Sequence, residues 1–525
     1  MLVHRFLEEA AGRAPEAPAL VDRGRPVSYG ELERLSNRFA NALRNAGVAR
    51  HDRVVIALDN SAELAAAYLG TMKAGAVAVP LPAGPKSDRL GKAIDDCAPA
   101  AAIVLTSTAQ EPDAVHSLEQ IHTVLMVGGV KPGTGSTSRW RPLAEALRDA
   151  SDTPPAVRPV DIDLAAIIYT SGSTGEPRGV MLTHRNFVAN TRSIVSYLRL
   201  TSADRVMCVL PFYYVYGLSL LHTHLAVGGC VVIDNRFAFP NVVLREMQKH
   251  MVTGFAGVPS TFALLLHRSD LEATDLPSLR YVTQAGGAMP AARIHEWLSK
   301  GPKVPFYVMY GATEASARLT YLDPSHLEQK LGSIGRAIPN VEIQIVKDDG
   351  AVAAPGEVGE LVARGANIAS GYWNNPKESH ERFSALGYHT GDLGYADQDG
   401  YLFLVGRRHD MLKVGAHRVG AKEIEDVLND FPGVSEVAVV GAPHDLMGEV
   451  PVAFVAMRDA ADGTADDHQA DREALQAFCR ARLPAYKVPA RFDFRHDLPK
   501  IPGVGKIDKR ALTDSLASER VSQPG

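Results

Sequence analysis

The sequence of 525 residues lacks the patterns that mark secreted and membrane-spanning proteins. It has four cysteines, and they stand far apart at Cys97, Cys208, Cys230 and Cys479. Their spacing predicts neither a disulfide framework nor a zinc site, so we expect a reducing compartment. No apolar run reaches the about 18 residues that cross a bilayer, and the start of the chain has no apolar core of the signal-peptide type. We therefore expect a cytoplasmic protein without a membrane span.

Further absences narrow the chemistry. The net charge of -5 gives no support for a nucleic-acid-binding surface. The 18 histidines include no pair with metal-ligand spacing inside one predicted element, which argues against a metallohydrolase. No Gly-x-Ser-x-Gly sequence is present, which argues against an α/β-hydrolase. No Gly-Lys-Ser/Thr closes a glycine-rich loop, so a Walker A site is not predicted either.

One stretch in the first half of the sequence has the densest functional signal. Residues 164–168 form an apolar run that predicts a buried strand, and Thr183 is a predicted N-cap for a helix over residues 184–198. Between them, residues 169–180 combine glycines with hydroxyl side chains. Backbone N–H groups in such a loop and at a helix N-terminus bind phosphate, and Arg178 would offset the charge. A plain surface connection is the alternative that composition alone leaves open.

The sequence before residue 310 alternates helical and strand patterns. Ser28 and Glu31 form a capping box that opens a helix, and Gly47 is placed to end it. Apolar runs predict strands, and strands that alternate with helices predict a parallel sheet covered on both faces. Several strands end in small residues, so we expect them to open into one crevice. Residues 131–160 are rich in Gly, Ser, Thr and Pro and predict a surface excursion.

The pattern changes in the last third of the chain. Residues 341–403 contain short strands separated by Gly, Asp and Pro turns, which predicts an antiparallel, barrel-like subdomain. Beyond Arg408 the order becomes strand, helix, two strands and helix, which predicts a small α+β domain of its own. The fold class is therefore α/β for the larger N-terminal part and α+β for the smaller C-terminal part.

Three charged residues stand among small residues, and each allows two interpretations. Glu314, next to Thr313, could hold Mg²⁺ beside a triphosphate, or it could simply begin a helix. Asp392 could accept hydrogen bonds from the hydroxyls of a ribose, or it could form an Asx-turn. Lys506 could move onto a phosphate, or it could belong to a solvated basic tail. Taken singly, these residues leave both interpretations open.

The order of these segments closely resembles the adenylate-forming superfamily, which comprises acyl-CoA synthetases, adenylation domains of nonribosomal peptide synthetases, and luciferases. The matching segments are residues 169–180, 310–314, 388–392, 406–418 and 505–506, with residues 27–32 and 73–76 near the start. The resemblance runs over nearly the whole chain. It implies that a carboxylate attacks the α-phosphate of Mg·ATP to give an acyl-adenylate and pyrophosphate, and that a thiol then displaces AMP.

The resemblance implies a role for each matching residue. The predicted ATP-binding residues are Thr170, Ser171, Gly172, Ser173, Thr174, Gly175, Gly286, Gly287, Ala288, Tyr310, Gly311, Thr313, Asp392 and Arg407. Glu314 would hold Mg²⁺, and Asp392 with Arg407 would hold the ribose. The catalytic residues would be Thr313, Arg178 and Lys506, because phosphoryl chemistry depends mostly on positioning and charge compensation.

The resemblance also implies two domains that move relative to each other. Residues 1–408 would form the AMP-binding domain, with two doubly wound sheets plus the small β-barrel subdomain, and residues 409–525 a mobile domain that brings in Lys506. The hinge and CoA residues would be His409, Lys413, Gly415 and Ala416. Some positions depart from the family pattern. Arg178 replaces a common lysine, His409 a usual aspartate or lysine, and Ala416 a glycine.

Two features predict the acid and the thiol. The predicted acyl wall is Tyr213, Tyr214, Phe255, Ala256, Gly257, Val258 and Ala285. Residues 211–217 contain no aspartate to pair with a substrate ammonium, so we expect an acid without an α-amino group, either aryl or medium-chain. Members of the resembled superfamily that load acyl carrier proteins typically carry an inserted segment here, and none separates residues 332–336 from 359–361, so the resemblance favours CoA as the acceptor over an acyl carrier protein. A non-catalytic acyl-nucleotide-binding protein and a homodimer are further alternatives.

Overall fold

The structure is a computed structural model that describes residues 1–84, 88–110, 112–128, 140–171, 177–415, 417–444, 447–457, 469–500 and 507–521. Several predicted site residues lie outside these ranges: Gly172, Ser173, Thr174, Gly175, Ala416 and Lys506. In the part of the chain that is described, no helix is both long enough and apolar enough to cross a membrane.

The helices begin where the local sequence supplies caps. Ser28 accepts a hydrogen bond from the N–H of Glu31, and the Glu31 carboxylate accepts one from the N–H of Ser28, so the predicted capping box is confirmed. The helices are α1 (Arg5–Arg13), α2 (Tyr29–Asn45), α3 (Ala62–Lys73), α4 (Asp88–Cys97), α5 (Pro112–Glu119), α6 (Leu143–Arg148), α7 (His184–Leu198), α8 (Val215–Val227), α9 (Pro240–Lys249), α10 (Pro259–Arg268), α11 (Ala291–Lys300), α12 (Pro376–Arg382), α13 (Ala421–Asn429), α14 (Gln469–Arg480) and α15 (Lys509–Val521).

The strands run through the whole chain. They are β1 (Pro18–Asp22), β2 (Arg25–Ser28), β3 (Arg53–Ala57), β4 (Val77–Pro80), β5 (Ala101–Leu105), β6 (Thr123–Val127), β7 (Trp140–Pro142), β8 (Leu164–Ser171), β9 (Pro177–Thr183), β10 (Arg205–Cys208), β11 (Cys230–Ile233), β12 (Gly254–Gly257), β13 (Tyr281–Gln284), β14 (Phe306–Tyr310), β15 (Thr320–Leu322), β16 (Ser333–Ala337), β17 (Val341–Val346), β18 (Gly359–Gly365), β19 (Phe383–Ser384), β20 (Gly387–Ala396), β21 (Leu402–Arg407), β22 (Met411–Val414), β23 (His417–Gly420), β24 (Val434–His444), β25 (Gly448–Met457) and β26 (Arg491–Phe494).

Two largely parallel sheets form the N-terminal part. The first has the order β7-β6-β5-β3-β4-β8-β9, and the second includes β2-β1-β11-β10-β12-β13-β14. In the first sheet Val54 and Ile56 pack into one core, whereas Val55 and Ala57 pack into another on the opposite face. Both faces are therefore buried, as expected for parallel strands connected by helices. The predicted α/β fold class is confirmed.

The second sheet continues into antiparallel strands. After β14 the order is β15, β16, β21, β20, β18 and β17, and neighbouring strands in this part pair antiparallel. Asp392 of β20 pairs in register with Arg407 of β21, and Tyr310 at the end of β14 pairs with Thr320. The antiparallel subdomain thus extends the sheet whose strand ends were predicted to open into the crevice.

The loop predicted to bind phosphate does not lead straight into a helix. Residues 177–183 form β9, which pairs antiparallel with β8, so that Thr170 lies opposite Arg178. Helix α7 has the predicted bounds, and Thr183 is its N-cap in a reciprocal box with Asn186. The expectation of a helix N-terminus at the loop is therefore wrong, because a whole strand separates them. The predicted excursion over residues 131–160 also contains ordered elements, β7 and α6.

A smaller sheet forms the C-terminal part. Its order is β23-β22-β25-β24, with β26 parallel to β25. Val439 and Val455 face a core with Ile424 of α13, while Val440 and Phe454 face a second core with residues of α15. The predicted α+β unit is confirmed. One contact that joins it to the larger part is a hydrogen bond of 3.1 Å from Nη2 of Arg293 to the carbonyl of Ser435.

Candidate active site

Three predicted nucleotide-binding residues meet at Asp392. Its Oδ2 accepts a hydrogen bond of 2.5 Å from the Tyr310 hydroxyl, and its Oδ1 accepts one of 3.1 Å from Nε of Arg407. Burial, together with the Asp392 carboxylate, raises the pKa of Tyr310 well above its ordinary value, so the phenol stays a donor. The Asp392 side chain keeps 11% of its surface exposed. A carboxylate held in this way from two sides can still accept hydrogen bonds from a ligand.

Glu314 lies in a short turn after β14 and faces Tyr372. Its Oε1 accepts a hydrogen bond of 2.7 Å from the Tyr372 hydroxyl, and burial followed by this carboxylate raises the pKa of Tyr372. Within the described ranges no group of three or more His, Cys, Asp or Glu could hold a metal. A single half-buried carboxylate nevertheless fits Mg²⁺, which commonly keeps several waters and takes its other ligands from substrate phosphates.

One extended segment, residues 369–373, supports both the β9 strand and the Glu314 turn. The N–H of Ala369 donates to the carbonyl of Glu314 at 2.8 Å, and the N–H of Met181 donates to the carbonyl of Gly371 at 3.0 Å. Two residues on, the N–H of Trp373 donates to the carbonyl of Gly179 at 2.7 Å. The hairpin and the predicted magnesium ligand are therefore held together through one backbone.

Arg178 lies on β9 and is paired with Glu378 of α12. Its guanidinium carbon lies 5.6 Å from the centre of the Tyr372 ring, and among the described residues its Nε has no hydrogen-bond partner. Arg178 is thus close to the tyrosine that contacts Glu314. The cation predicted to meet phosphate is neutralised here by a carboxylate that the sequence analysis did not single out.

Glycines allow close approach of backbone at two of the predicted ATP-binding positions, Gly286 and Gly311. Gly286 has φ +84°, and a Cβ there would lie 3.0 Å from Cγ1 of Val258. A Cβ on Gly311 would lie 1.9 Å from the carbonyl oxygen of Ala317, so no larger residue fits. Gly287 and Ala288 follow in the same turn, where Nε2 of Gln284 donates to the carbonyl of Gly287 at 2.8 Å.

Residues 211–214, which include three aromatic residues, form a turn before α8. Asn60, a residue that the sequence analysis did not single out, holds this turn in place. The N–H of Phe212 donates to Oδ1 of Asn60, and Nδ2 of Asn60 donates to the carbonyl of Leu210, both at 2.8 Å. The rings of Tyr213 and Tyr214 follow directly, with centroids 4.6 Å apart. An amide that bonds the backbone on both sides makes this turn rigid, which suits a wall that orients a substrate.

The structure separates the residues of the predicted acyl wall. Ala256 and Ala285 pack in one core with Tyr216, and Gly257 and Val258 continue the same chain segment. Phe255 is 1% exposed and packs in the core on the other side of the sheet, edge-on to Phe262. The expectation that Phe255 faces the acyl group is therefore corrected, since neighbouring residues of a strand point to opposite faces.

The predicted hinge and CoA residues lie at the start of the C-terminal part. His409 is in a short 3₁₀ turn between β21 and β22. Lys413 is in β22, where its N–H donates to the Glu449 carboxylate at 2.6 Å. Gly415 has φ +60° and its N–H donates to the carbonyl of Met447 at 2.7 Å. Lys500 and Ile507, on either side of the segment that contains Lys506, form an antiparallel bridge.

Comparison with known proteins finds relatives over nearly the whole chain. A family model described as AMP-binding enzyme matches residues 7–373, and one described as AMP-binding enzyme C-terminal domain matches residues 423–506. The long-chain-fatty-acid–CoA ligase of Salmonella typhimurium is 33% identical over 551 residues, covering 98% of this chain and 94% of that protein. The solved anthranilate CoA ligase AuaEII, in complex with anthranoyl-AMP, is 26% identical with a TM-score of 0.89, covering 99% of this chain and 98% of that one. The o-succinylbenzoate CoA synthetase of Bacillus subtilis, solved with ATP and magnesium ion, is 27% identical with a TM-score of 0.82. The match covers 98% of this chain and 99% of that one.

Proposed function

This chain belongs to the AMP-binding enzymes and is an AMP-forming acid–thiol ligase that uses ATP, Mg²⁺ and CoA, and from that premise we propose how its own residues perform the reaction. The proposed substrate is an aryl or medium-chain carboxylic acid without an α-amino group. The observation that carries the proposal is the support of β9 and Glu314 by residues 369–373, because one stretch of backbone holds together the two distant segments that contain Arg178 and Glu314.

The first proposed step is capture of the nucleotide. Asp392 accepts from the ribose hydroxyls while Tyr310 and Arg407 hold its carboxylate in place. The adenine lies against the turn of Gly286, Gly287 and Ala288, where no side chain is larger than a methyl group. Binding at preset groups avoids the entropic cost of ordering them at the moment of reaction.

The second proposed step is charge compensation at the phosphates. Glu314 would hold Mg²⁺, which when bound neutralises phosphate oxygens and makes the α-phosphate a better electrophile. Arg178 would leave Glu378 and bind the β- and γ-phosphates. Residues Thr170 to Gly175 would bind the same two phosphates, and Thr313 would donate to the α-phosphate. The carboxylate of the acid then attacks phosphorus, pyrophosphate leaves, and acyl-AMP stays bound. The planar guanidinium of Arg178 can donate two parallel hydrogen bonds, which suits a pair of phosphate oxygens.

The proposed acid class follows from the walls of the crevice. In this proposal the small residues Ala256, Gly257 and Ala285 would make room for the acid beside the aromatic pair Tyr213 and Tyr214. Aromatic rings stack on an aryl group or flank an alkyl chain. In residues 211–217 no aspartate is present that could pair with a substrate ammonium. The relatives compared above are named for a long-chain fatty acid, anthranilate and o-succinylbenzoate, which supports an acid of either kind.

The thioester step is proposed to use domain alternation. Residues 1–408 would hold acid and ATP, and residues 409–525 would turn about His409 so that Lys506 leaves and Lys413, Gly415 and Ala416 approach the thiol. The gap between the two matched family regions, residues 374–422, contains this boundary and supports it. The thiol sulfur attacks the acyl carbon, and AMP leaves as its phosphate takes the electron pair of the broken bond.

The proposal is tested by carboxylate-dependent exchange of pyrophosphate into ATP, measured over a panel of aromatic and aliphatic acids. We expect exchange with acids that lack an α-amino group, and thioester formation when CoA is added. Offering CoA and a carrier-protein phosphopantetheine side by side decides the acceptor, and light scattering of the same sample decides between monomer and homodimer. Exchange that occurs only with α-amino acids would contradict the proposed function. So would the failure of every acid in the panel to support exchange.

A further inference from the structure

Arg318 is a cation buried next to the proposed acyl wall. It is 3% exposed, and no Asp or Glu of the described residues forms an ion pair with it. Its Nε donates to the sulfur of Met309 at 3.2 Å and its Nη1 to the carbonyl of Ala317 at 3.3 Å. Neither acceptor carries the negative charge that would neutralise the guanidinium. A buried cation without an anionic partner is costly, so such residues are usually paired or functional.

The backbone around Arg318 is strained and closely supported. Ala317 has φ +126° and Ser316 has φ +58°, both in the region that favours glycine. The carbonyl of Arg318 accepts from the amides of Asn190 and Asn367, each at 3.0 Å. Strain of this kind persists only where the surroundings impose it, and it clusters at binding sites. The fold therefore holds the two residues before Arg318 in a conformation that a relaxed loop would not adopt.

The guanidinium lies against the acyl wall. Its central carbon is 4.1 Å from the centre of the Tyr216 ring, and the Tyr216 hydroxyl donates to the carbonyl of Thr283 at 3.1 Å. The Tyr216 hydroxyl is also hydrogen-bonded to the backbone of Gly257, a residue of the proposed acyl wall. Tyr197, a neutral phenol whose pKa burial raises, donates to the sulfur of Met309 at 3.1 Å and is also hydrogen-bonded to Arg318. The polar groups that surround the guanidinium in the described ranges are thus uncharged.

We infer that Arg318 binds a second carboxylate on the acid, so that the substrate is a dicarboxylic acid activated at the end that lies nearer the nucleotide. This inference rests on the proposed function, because it assigns the far end of the same acyl site. The groups that the Arg318 guanidinium contacts among the described residues are all uncharged, and a carboxylate would supply the missing negative charge. A chain or ring with a neutral far end would leave the cation unpaired.

The test compares two matched pairs of acids: octanedioate with octanoate, and benzene-1,4-dicarboxylate with benzoate. For the wild-type enzyme we expect kcat/KM in pyrophosphate exchange to be about 10- to 100-fold higher for the diacid in at least one pair, the range for a hydrogen bond to a charged group. Arg318→Met should remove that advantage while changing the value for the monoacid little. Arg318→Lys should keep part of it, since the charge remains without the fork geometry.

Arg280→Met is the matched control. Arg280 is paired with Asp204 at 2.9 Å, so its loss should lower stability without changing the ratio between diacid and monoacid. A preference for monoacids in both pairs, or an equal loss for both acids in Arg318→Met, would overturn the inference and leave the proposed function in place. If Arg318→Met fails to fold, the wild-type ratios alone decide. No exchange with any acid would instead overturn the proposed function, and the inference with it.

Discussion

Arg407 donates a hydrogen bond of 3.1 Å from Nε to Oδ1 of Asp392, across the pairing of β21 with β20. The two residues stand directly opposite each other in register, so the sheet itself sets their distance. The other oxygen of Asp392 accepts from Tyr310. Because neither donor depends on a loop, the carboxylate is oriented before a nucleotide arrives, which is the property expected of a preorganised binding group.

Replacing Asp392 with asparagine should weaken ATP binding. The amide keeps the shape but loses the charge, and its nitrogen cannot accept from Tyr310, from Arg407 or from a ribose hydroxyl. We expect KM for ATP to rise about 10- to 100-fold in pyrophosphate exchange, the range for losing hydrogen bonds to a charged group. Tyr310→Phe, which leaves the carboxylate in place, should raise it less. An unchanged KM in Asp392→Asn would contradict the ribose assignment.

The ion pair of Arg178 and Glu378 leads to a prediction about KM for ATP and the exchange rate. If Glu378 competes with phosphate for the guanidinium, Glu378→Gln should lower KM for ATP a few-fold, while Arg178→Met should lower the exchange rate by about 10²-fold, as for loss of one preorganised charged donor. Asn375→Ala is the control, because Asn375 bonds Glu378 and caps α12 without touching Arg178. A higher KM in Glu378→Gln than in this control would show that the glutamate supports Arg178 and does not compete for it.

Local signals in the sequence predicted local structure well. The bounds of α7 and the capping box of α2 were correct, because a cap and a helical period are properties of adjacent residues. The parallel strands were equally clear from their apolar runs. The β9 strand was missed because Pro177 and Gly179 interrupt its pattern, and only pairing with β8 makes it a strand.

In the candidate site, too, contacts between residues that are far apart in the sequence could not be predicted from local patterns. Asp392, Glu314 and Tyr310 could be predicted as site residues because each stands in a recognisable short segment. Glu378 and Arg178 are 200 positions apart, and Tyr372 and Glu314 are 58 apart, so no local pattern connects them. The misplacement of Phe255 was avoidable, since alternation along a strand already puts it on the face opposite Ala256.

Buried histidines should make the protein sensitive to acid. Burial, followed by the nearby His184, lowers the pKa of His222 from its ordinary value of 6.5 to about 3. As the pH falls below about 6.5 the unfolded chain takes up a proton that the folded chain refuses, so the free energy of unfolding falls by about 1.4 kcal/mol per pH unit for this residue. Its stabilising effect is present above that pH and is lost on the way down to pH 3.

His222→Phe should reduce the change in the free energy of unfolding per pH unit, because phenylalanine keeps an aromatic ring at this position but does not titrate. The measurement is the free energy of unfolding from urea titrations between pH 5 and 7. Tyr68→Phe is the control, since Tyr68 forms a hydrogen bond of 3.1 Å with Nε2 of His222 but does not titrate in this range. The control should shift stability at every pH alike. An equal slope in wild type and His222→Phe would rule out this histidine as a source of acid sensitivity.

Lys506 provides the sharpest test of domain alternation. If it stabilises the charge that develops during adenylation and is withdrawn for the thioester step, Lys506→Ala should abolish pyrophosphate exchange but largely spare thioester formation from supplied acyl-adenylate and CoA. Lys500→Ala is the matched control on the same stretch of chain, because Lys500 is already paired with Glu436 at 2.7 Å. We expect that variant to keep both half-reactions. Equal loss of both half-reactions in Lys506→Ala would mean that the lysine stays in place throughout, because a group that leaves after the first step cannot slow the second.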